Sequence, residues 1–334
     1  MDWTDRARVE RRLLDMRQVA SADAYELRPG GRRVRLTAAD GFDVELLPDR
    51  GLDLGAVSHR GLPLGFVTPA VLTAPAGGPD AETFARRFGA GLLTTCGLDQ
   101  YGRPNHDDGQ DLPQHGRASE LVAADVATSA DWVNGRYEVG VTGRMRQWRL
   151  FGEDLRWQRS VSIDLGGDTL RLRDQVTNAG STPWPHMMLY HLNFGFPLID
   201  EGTRIALPPG TGDPTPRDDW AATGLADWDV IAAPSPGLPE RVFMHRLDPA
   251  GPGEITVKNP VLGVGVRIIV DPGWLGSVFQ WATAADGTYA LGIEPGTTAT
   301  MEGRADARAR GLLDFLEPGE SRSYAVDLIV TRAG

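Results

Sequence analysis

From Arg32 onward the apolar residues fall on every second position. Val34 and Leu36, then Phe42, Val44 and Leu46, alternate with polar residues on either side of Ala39-Asp40-Gly41. A period of two lays one face of an extended chain against a core, and the Asp-Gly pair marks a hairpin turn. Similar runs return over 53–58, 138–148, 155–165, 169–178, 254–258, 263–270, 277–282, 289–293 and 322–331, with turn formers such as Gly166-Gly167, Gly180-Ser181 and Pro318-Gly319 between them. No long helical pattern recurs between the strands, so the expected fold is all-β, a large antiparallel sandwich rather than a parallel sheet. Residues 4–18 read as a helix packed on the main body, with Thr4 as cap and Val9, Leu13 and Leu14 on one face.

Two stretches break the rhythm. Residues 68–91 are rich in Pro, Gly and Ala, with a short helix expected near 81–88, and residues 206–240 are rich in Pro, Asp and Gly. Long irregular segments of this kind often wall a binding cleft. No repeat or linker composition divides the chain, so one β-sandwich domain over 1–334 is expected, with 1–20 as an N-terminal helical extension.

With 334 residues and 41% hydrophobic content, the chain can bury a substantial core. A net charge of −11 without a basic run sets it against nucleic acid and membrane surfaces, and neither is expected as a partner. Cys96 is the single cysteine, which excludes a disulfide within the chain and thiolate-rich metal sites. The N-terminal residues lack a signal-type apolar stretch, and no segment reaches the ~18–20 apolar residues of a membrane span, so a cytoplasmic location is expected.

Three segments carry chemistry. In Leu112-Pro113-Gln114-His115-Gly116-Arg117, a glycine after histidine allows close backbone approach and can set the imidazole on a cleft floor. A surface histidine in a polar loop is the plain alternative. Asp99 and Tyr101, just upstream, are candidate substrate contacts. In Leu189-Tyr190-His191-Leu192-Asn193-Phe194, strand alternation puts His191 and Asn193 on one face with Leu189, and polar groups on such a face are either a bonded core pair or a site. In Gly292-Ile293-Glu294-Pro295-Gly296, Glu294 is expected at a strand end before a Pro-Gly turn, where partial desolvation would raise its basicity. A solvated strand-end glutamate is the alternative there. Gln280 and Trp281 offer an amide and an indole suited to hydroxyls and sugar faces.

Other chemistries fit less well. There is no Gly-rich phosphate loop, no Gly-x-Ser-x-Gly elbow and no His-x-x-x-His helix. Asp99, Asp107, Asp108 and Asp111 read as a loop of solvated acids, so no metal and no cofactor is expected.

Taken together, these segments resemble the galactose mutarotase-like superfamily, and within it the bacterial aldose 1-epimerase-like proteins. The resemblance runs from Leu46-Leu47-Pro48-Asp49-Arg50-Gly51 through Leu92-Leu93-Thr94-Thr95-Cys96-Gly97, His115-Gly116-Arg117, Phe151-Gly152-Glu153 and 189–198 to Ile293-Glu294-Pro295-Gly296. It implies a β-supersandwich with an open cleft and a small-molecule carbohydrate as partner. His191 would be the general acid, Glu294 the general base and His115 a sugar-holding histidine, with Arg117 as a further sugar contact. The aspartate that holds a ring hydroxyl in galactose-specific relatives has no clear counterpart, Asp271 being a candidate, so galactose is not implied. The expected activity is interconversion of sugar anomers. A non-catalytic carbohydrate-binding protein, or a sugar lyase or hydrolase using Tyr101 or Tyr190, remains open as an alternative.

Overall fold

The period of two is realised as antiparallel sheets. In the computed structural model, which describes residues 2–28, 30–72 and 81–332, Gly31–Ala38 and Phe42–Leu47 pair around Ala39-Asp40-Gly41. Val34 faces Leu46 and Leu36 faces Val44, all four buried, at the centre of a five-stranded sheet. The long runs Arg136–Trp148, Asp154–Asp164, Thr169–Asn178, Ser321–Arg332, Val264–Val270 and Glu254–Asn259 are successive neighbours in an eight-stranded sheet. A six-stranded sheet has the order Thr215–Pro216, Arg241–Arg246, Ser277–Ala285, Thr288–Gly296, Leu189–Gly195, Leu93–Cys96. This is the β-sandwich expected from the sequence.

The core lies where these sheets face one another. Trp157, Val161, Leu172 and Val326 of the larger sheet share a buried cluster with Tyr190, Leu192, Phe194, Val278, Leu291 and Ile293 of the six-stranded sheet. Full burial of side chains of this size contributes about 1.5–3 kcal/mol each. Because side chains alternate, the same strands turn Leu189, His191, Asn193, Trp281 and Glu294 to the opposite face. The strand carrying His191 is also pinned from beneath. Arg159, fully buried, bonds Asp53 and Asp174 at 2.7 Å each, and the Tyr190 hydroxyl donates to Asp174 at 2.8 Å. Buried charges persist when paired in this way.

Three expectations are corrected. The N-terminal helix covers only Arg6–Glu10, and Met16–Gln18 is a separate single turn. Asp5 caps the helix, while the Thr4 hydroxyl bonds Asp2. Leu14 is fully exposed, so no apolar stripe extends the helix past Val9. Strands Ala20–Leu27 and Ala124–Val133 went unpredicted because they are sheet edges, mostly exposed, with no clean alternation. Glu294 is not at a strand end: Pro295 and Gly296 continue the strand opposite Val278 and Leu189. The expected helix near 81–88 is present as Ala81–Arg87, whereas 73–80 of the surrounding loop lie outside the described residues. Among the described residues no helix is long and apolar enough to cross a membrane.

Candidate active site

Register decides what the outer face of the six-stranded sheet presents. Leu192 pairs with Ile293, which sets His191 beside Glu294 on neighbouring strands and the same face. His191 Nε2 lies 3.2 Å from Glu294 Oε1. Gly292 pairs with Asn193 on one side and Trp281 on the other, so a position without a side chain separates the indole from His191 and Glu294. A Cβ at Gly292 would stand 2.8 Å from Glu294 Oε1 and 3.2 Å from His191 Cε1.

His115 arrives from the long loop after Cys96. Its backbone is left-handed (φ 59°), a conformation histidine tolerates better than most residues. Gly116 follows at φ 74°, and a Cβ there would come within 2.2 Å of the Gln100 carbonyl and 2.3 Å of that of Gly97. The close approach read from the His-Gly pair is therefore real, and only glycine permits it. Backbone bonds from Gly97 N to His115 O (3.1 Å) and from Arg117 N to Gly97 O (2.8 Å) lock the loop. The result places the His115 and His191 rings 5.9 Å apart.

An aromatic cover completes the site. Phe84 and Phe88, one turn apart along the helix Ala81–Arg87 and its end, stack at 5.2 Å. Phe84 packs on His115 at 4.7 Å, and Phe88 on His191 at 5.3 Å and Trp281 at 6.2 Å. Arg87 pairs with Glu120, and Arg50 donates to the Arg87 carbonyl at 3.0 Å, which ties this end of the helix down. The cavity enclosed, about 360 Å³, is lined by His115, His191, Trp281 and Glu294 together with Phe84, Phe88, Gln114, Arg217 and Glu240. Both irregular stretches singled out in the sequence thus supply walls.

Burial governs the proton affinities. His191 is pushed down to about 3, first by loss of water and then by the neighbouring His115, with the Asn193 side chain pulling the other way. His115 keeps an edge toward the cavity, yet surrounding protein still pushes it down to about 4. Glu294 is raised well above the usual carboxylate range, by burial first and by the Glu240 charge second. A cationic His191 beside an ionised Glu294 would suit a ready-made acid; burial here works against that and favours the neutral imidazole and the protonated carboxyl. Both Glu294 oxygens and the Nδ1 atoms of His191 and His115 lack a well-formed hydrogen bond within the protein. Unsatisfied buried polar atoms are costly, and here they converge on one cavity.

The lowered histidines make a prediction about stability. A folded-state value below the unfolded one means stability that is complete above about 6.5 and is lost as the pH falls toward the folded value. For His115 that window runs down to about 4, at no more than about 1.4 kcal/mol per pH unit. Urea unfolding of His115→Asn should show a shallower loss of stability than the parent between pH 6.5 and 4. An identical slope would mean His115 is not held neutral by the fold.

The other candidates lie elsewhere. Asp99 is buried under the loop, bonded by Arg304 at 2.9 Å and Gln147 at 2.9 Å. Asp107 is held by Arg304 and Arg308, so these two acids are not solvated. Tyr101 is committed to the backbone of Thr298, and Tyr190 to Asp174, so neither hydroxyl reaches the cavity as a lyase would need. Gln280 faces away from Trp281, as successive strand residues must, and bonds the Trp228 carbonyl at 2.7 Å and His245 at 3.1 Å. Arg117 reaches the Asp111 carbonyl at 3.2 Å rather than the cavity. Asn193 lies beneath His191, donating to its carbonyl at 2.8 Å. Asp271 opens onto a groove on the eight-stranded sheet instead. Among the described residues no group of three His, Cys, Asp or Glu side chains could hold a metal ion.

Four contributors escaped the sequence reading. Phe84 and Phe88 carried a signal, an i,i+4 aromatic pair on a short helix. Glu240 and Arg217 carried none. They come together only through the fold, Arg217 Nη1 donating to Glu240 Oε1 at 2.7 Å and the Trp281 indole to Glu240 Oε2 at 2.6 Å.

Comparison with known proteins places this geometry in context. The chain resembles the structure of a candidate aldose 1-epimerase from Klebsiella pneumoniae subsp. pneumoniae MGH 78578 with a TM-score of 0.84 and 22% identity, over 94% of this chain and 88% of that one. A galactose mutarotase-like protein from Clostridium acetobutylicum matches with a TM-score of 0.61 at 15% identity, over 95% of this chain and 100% of that one. A candidate aldose 1-epimerase from Escherichia coli K12 matches with a TM-score of 0.57 at 15% identity, over 94% and 100%. Likeness at these identities speaks to fold, and the fold is galactose mutarotase-like. No curated protein matches the chain. Residues 28–330 match the family described as Domain of unknown function (DUF4432), and it is to this family that the chain belongs.

Proposed function

We propose that this protein is a sugar mutarotase that opens and recloses a pyranose ring by paired acid–base catalysis. The observation that carries the reading is the His191–Glu294 contact of 3.2 Å in a buried cavity beside an indole and a second imidazole. A binder needs hydroxyl partners and an aromatic face, but not two matched proton carriers with unsatisfied atoms. Trp281 offers its face to a sugar's C–H groups, and His115 is placed to hold a hydroxyl.

The pair holds one proton between two sites. With Glu294 ionised and His191 protonated, Glu294 takes the anomeric hydroxyl proton while His191 Nε2 gives its proton to the ring oxygen. The C1–ring-oxygen bond breaks, leaving an open-chain aldehyde with the proton now on Glu294. After rotation about C1–C2, Glu294 returns that proton to the carbonyl oxygen as the ring oxygen attacks, and His191 recovers the other. The resting state, with Glu294 protonated, matches the pair as it stands beside the open-chain sugar. Transfer across the 3.2 Å contact interconverts the two forms.

Exchange NMR of anomeric protons, run over a panel of reducing sugars, tests the proposal. At least one sugar should show accelerated α/β exchange. Its kcat/KM should show no limb near the ordinary imidazole value of about 6.5, because burial holds His115 neutral down to about 4 and His191 down to about 3. A limb near 6.5 would contradict the burial argument, and selective line broadening without exchange would indicate a binding protein instead.

A further inference from the structure

The cavity does not end at the acid–base pair. A second chamber of about 220 Å³ lies beside it at the edge of the six-stranded sheet, and Arg217, Val242 and Met301 line both. None of His115, His191 or Glu294 lines this outer chamber, so whatever occupies it stands away from the reacting carbon.

Its surface has two characters. Pro216, Met244, Phe279 and Met301 form an apolar side, while Thr215, Arg310 and Glu302 supply hydroxyl, guanidinium and carboxylate groups. A pyranose ring presents the same division, with C–H groups on a face and hydroxyls at the rim. An acyl chain would leave the polar side unmatched. An anionic substituent fits poorly too, because the cations at hand already carry carboxylates. Arg217 bonds Glu240 at 2.7 Å and Asp218 at 3.0 Å, Arg310 lies 3.2 Å from Asp306, and Arg103 lies 3.4 Å from Glu302.

We propose that the outer chamber receives a second, uncharged sugar ring, so that the substrate is a reducing disaccharide or longer saccharide whose reducing end lies in the inner cavity. The orientation rests on the mutarotase reading; the existence of a two-ring site does not. Binding and chemistry are therefore read separately on the same samples. Isothermal titration with lactose, maltose, cellobiose and melibiose, each against its constituent monosaccharides, measures the second ring's contribution. The parent should bind at least one disaccharide about tenfold or more tightly than either monosaccharide. Thr215→Trp, at an exposed position lining the chamber opposite Met244, should reduce that preference at least about tenfold.

Equal affinities for one and two rings, tighter binding of glucose 6-phosphate than of any disaccharide, or a preference untouched by Thr215→Trp would overturn the inference. Anomeric exchange recorded alongside separates the two ideas. Preference without exchange keeps the two-ring site and removes the mutarotase. Exchange without preference does the reverse.

Discussion

Glu294→Gln should slow anomeric exchange by about 10²–10⁴-fold while leaving the fold and sugar affinity in place. The reasoning starts from burial. Glu294 is 1% exposed, its proton affinity is raised, and neither oxygen has a protein hydrogen bond. The native fold therefore already favours a neutral side chain at this position. Glutamine has the same shape and no charge, so it adds no desolvation penalty and should keep or slightly raise the melting temperature. What it lacks is a proton to exchange. The measurement is the exchange rate of parent and variant at matched saturation, with titration calorimetry and a thermal melt on the same preparations. Turnover within a few fold of the parent would remove Glu294 from the chemistry. His191→Asn should lower the rate similarly, because it deletes the partner carrier.

Gly292→Ala should lower the exchange rate by about 10²-fold with little change in stability. Its backbone is ordinary extended strand, which alanine adopts freely, and replacing a strand glycine commonly stabilises by a few tenths of a kcal/mol or more. The added methyl, however, would point into the hollow between Trp281, Glu294 and His191, 2.8 Å from the carboxylate oxygen. A flexible carboxylate can move aside at small energetic cost, so the fold survives and the acid–base geometry does not. The two variants separate cause from proximity: one removes the proton carrier without moving it, the other moves it without removing it. An unchanged rate in Gly292→Ala, alongside a collapsed rate in Glu294→Gln, would mean that the hollow is not where the sugar ring lies.

Much of the architecture was legible from local pattern. Alternation marks a central strand whenever one of its faces is buried, so the runs that became Thr169–Asn178, Val264–Val270 and Ser321–Arg332 could be read almost to their ends. Edge strands such as Ala124–Val133 are mostly exposed, with only Val126 and Trp132 partly buried against the core, and so carry too little alternation to be read. The same alternation could have separated Gln280 from Trp281, since neighbours on a strand face opposite ways. The pairing of the two placed an inward residue among the candidate contacts.

The chain by itself determined that alternating apolar residues would close antiparallel sheets, that His191 and Asn193 would share a face, and that Gly116 would let the backbone beside His115 approach closely. These follow from side-chain period and backbone sterics, which act over a few residues. Tertiary structure alone decided the rest. Strand register brought His191 within 3.2 Å of a glutamate about a hundred residues away. The helix carrying Phe84 and the strap bearing Glu240 closed over them, and the resulting loss of water, rather than residue identity, set where the proton rests. Burial, register and enclosure arise between segments distant in sequence, and no local pattern encodes them.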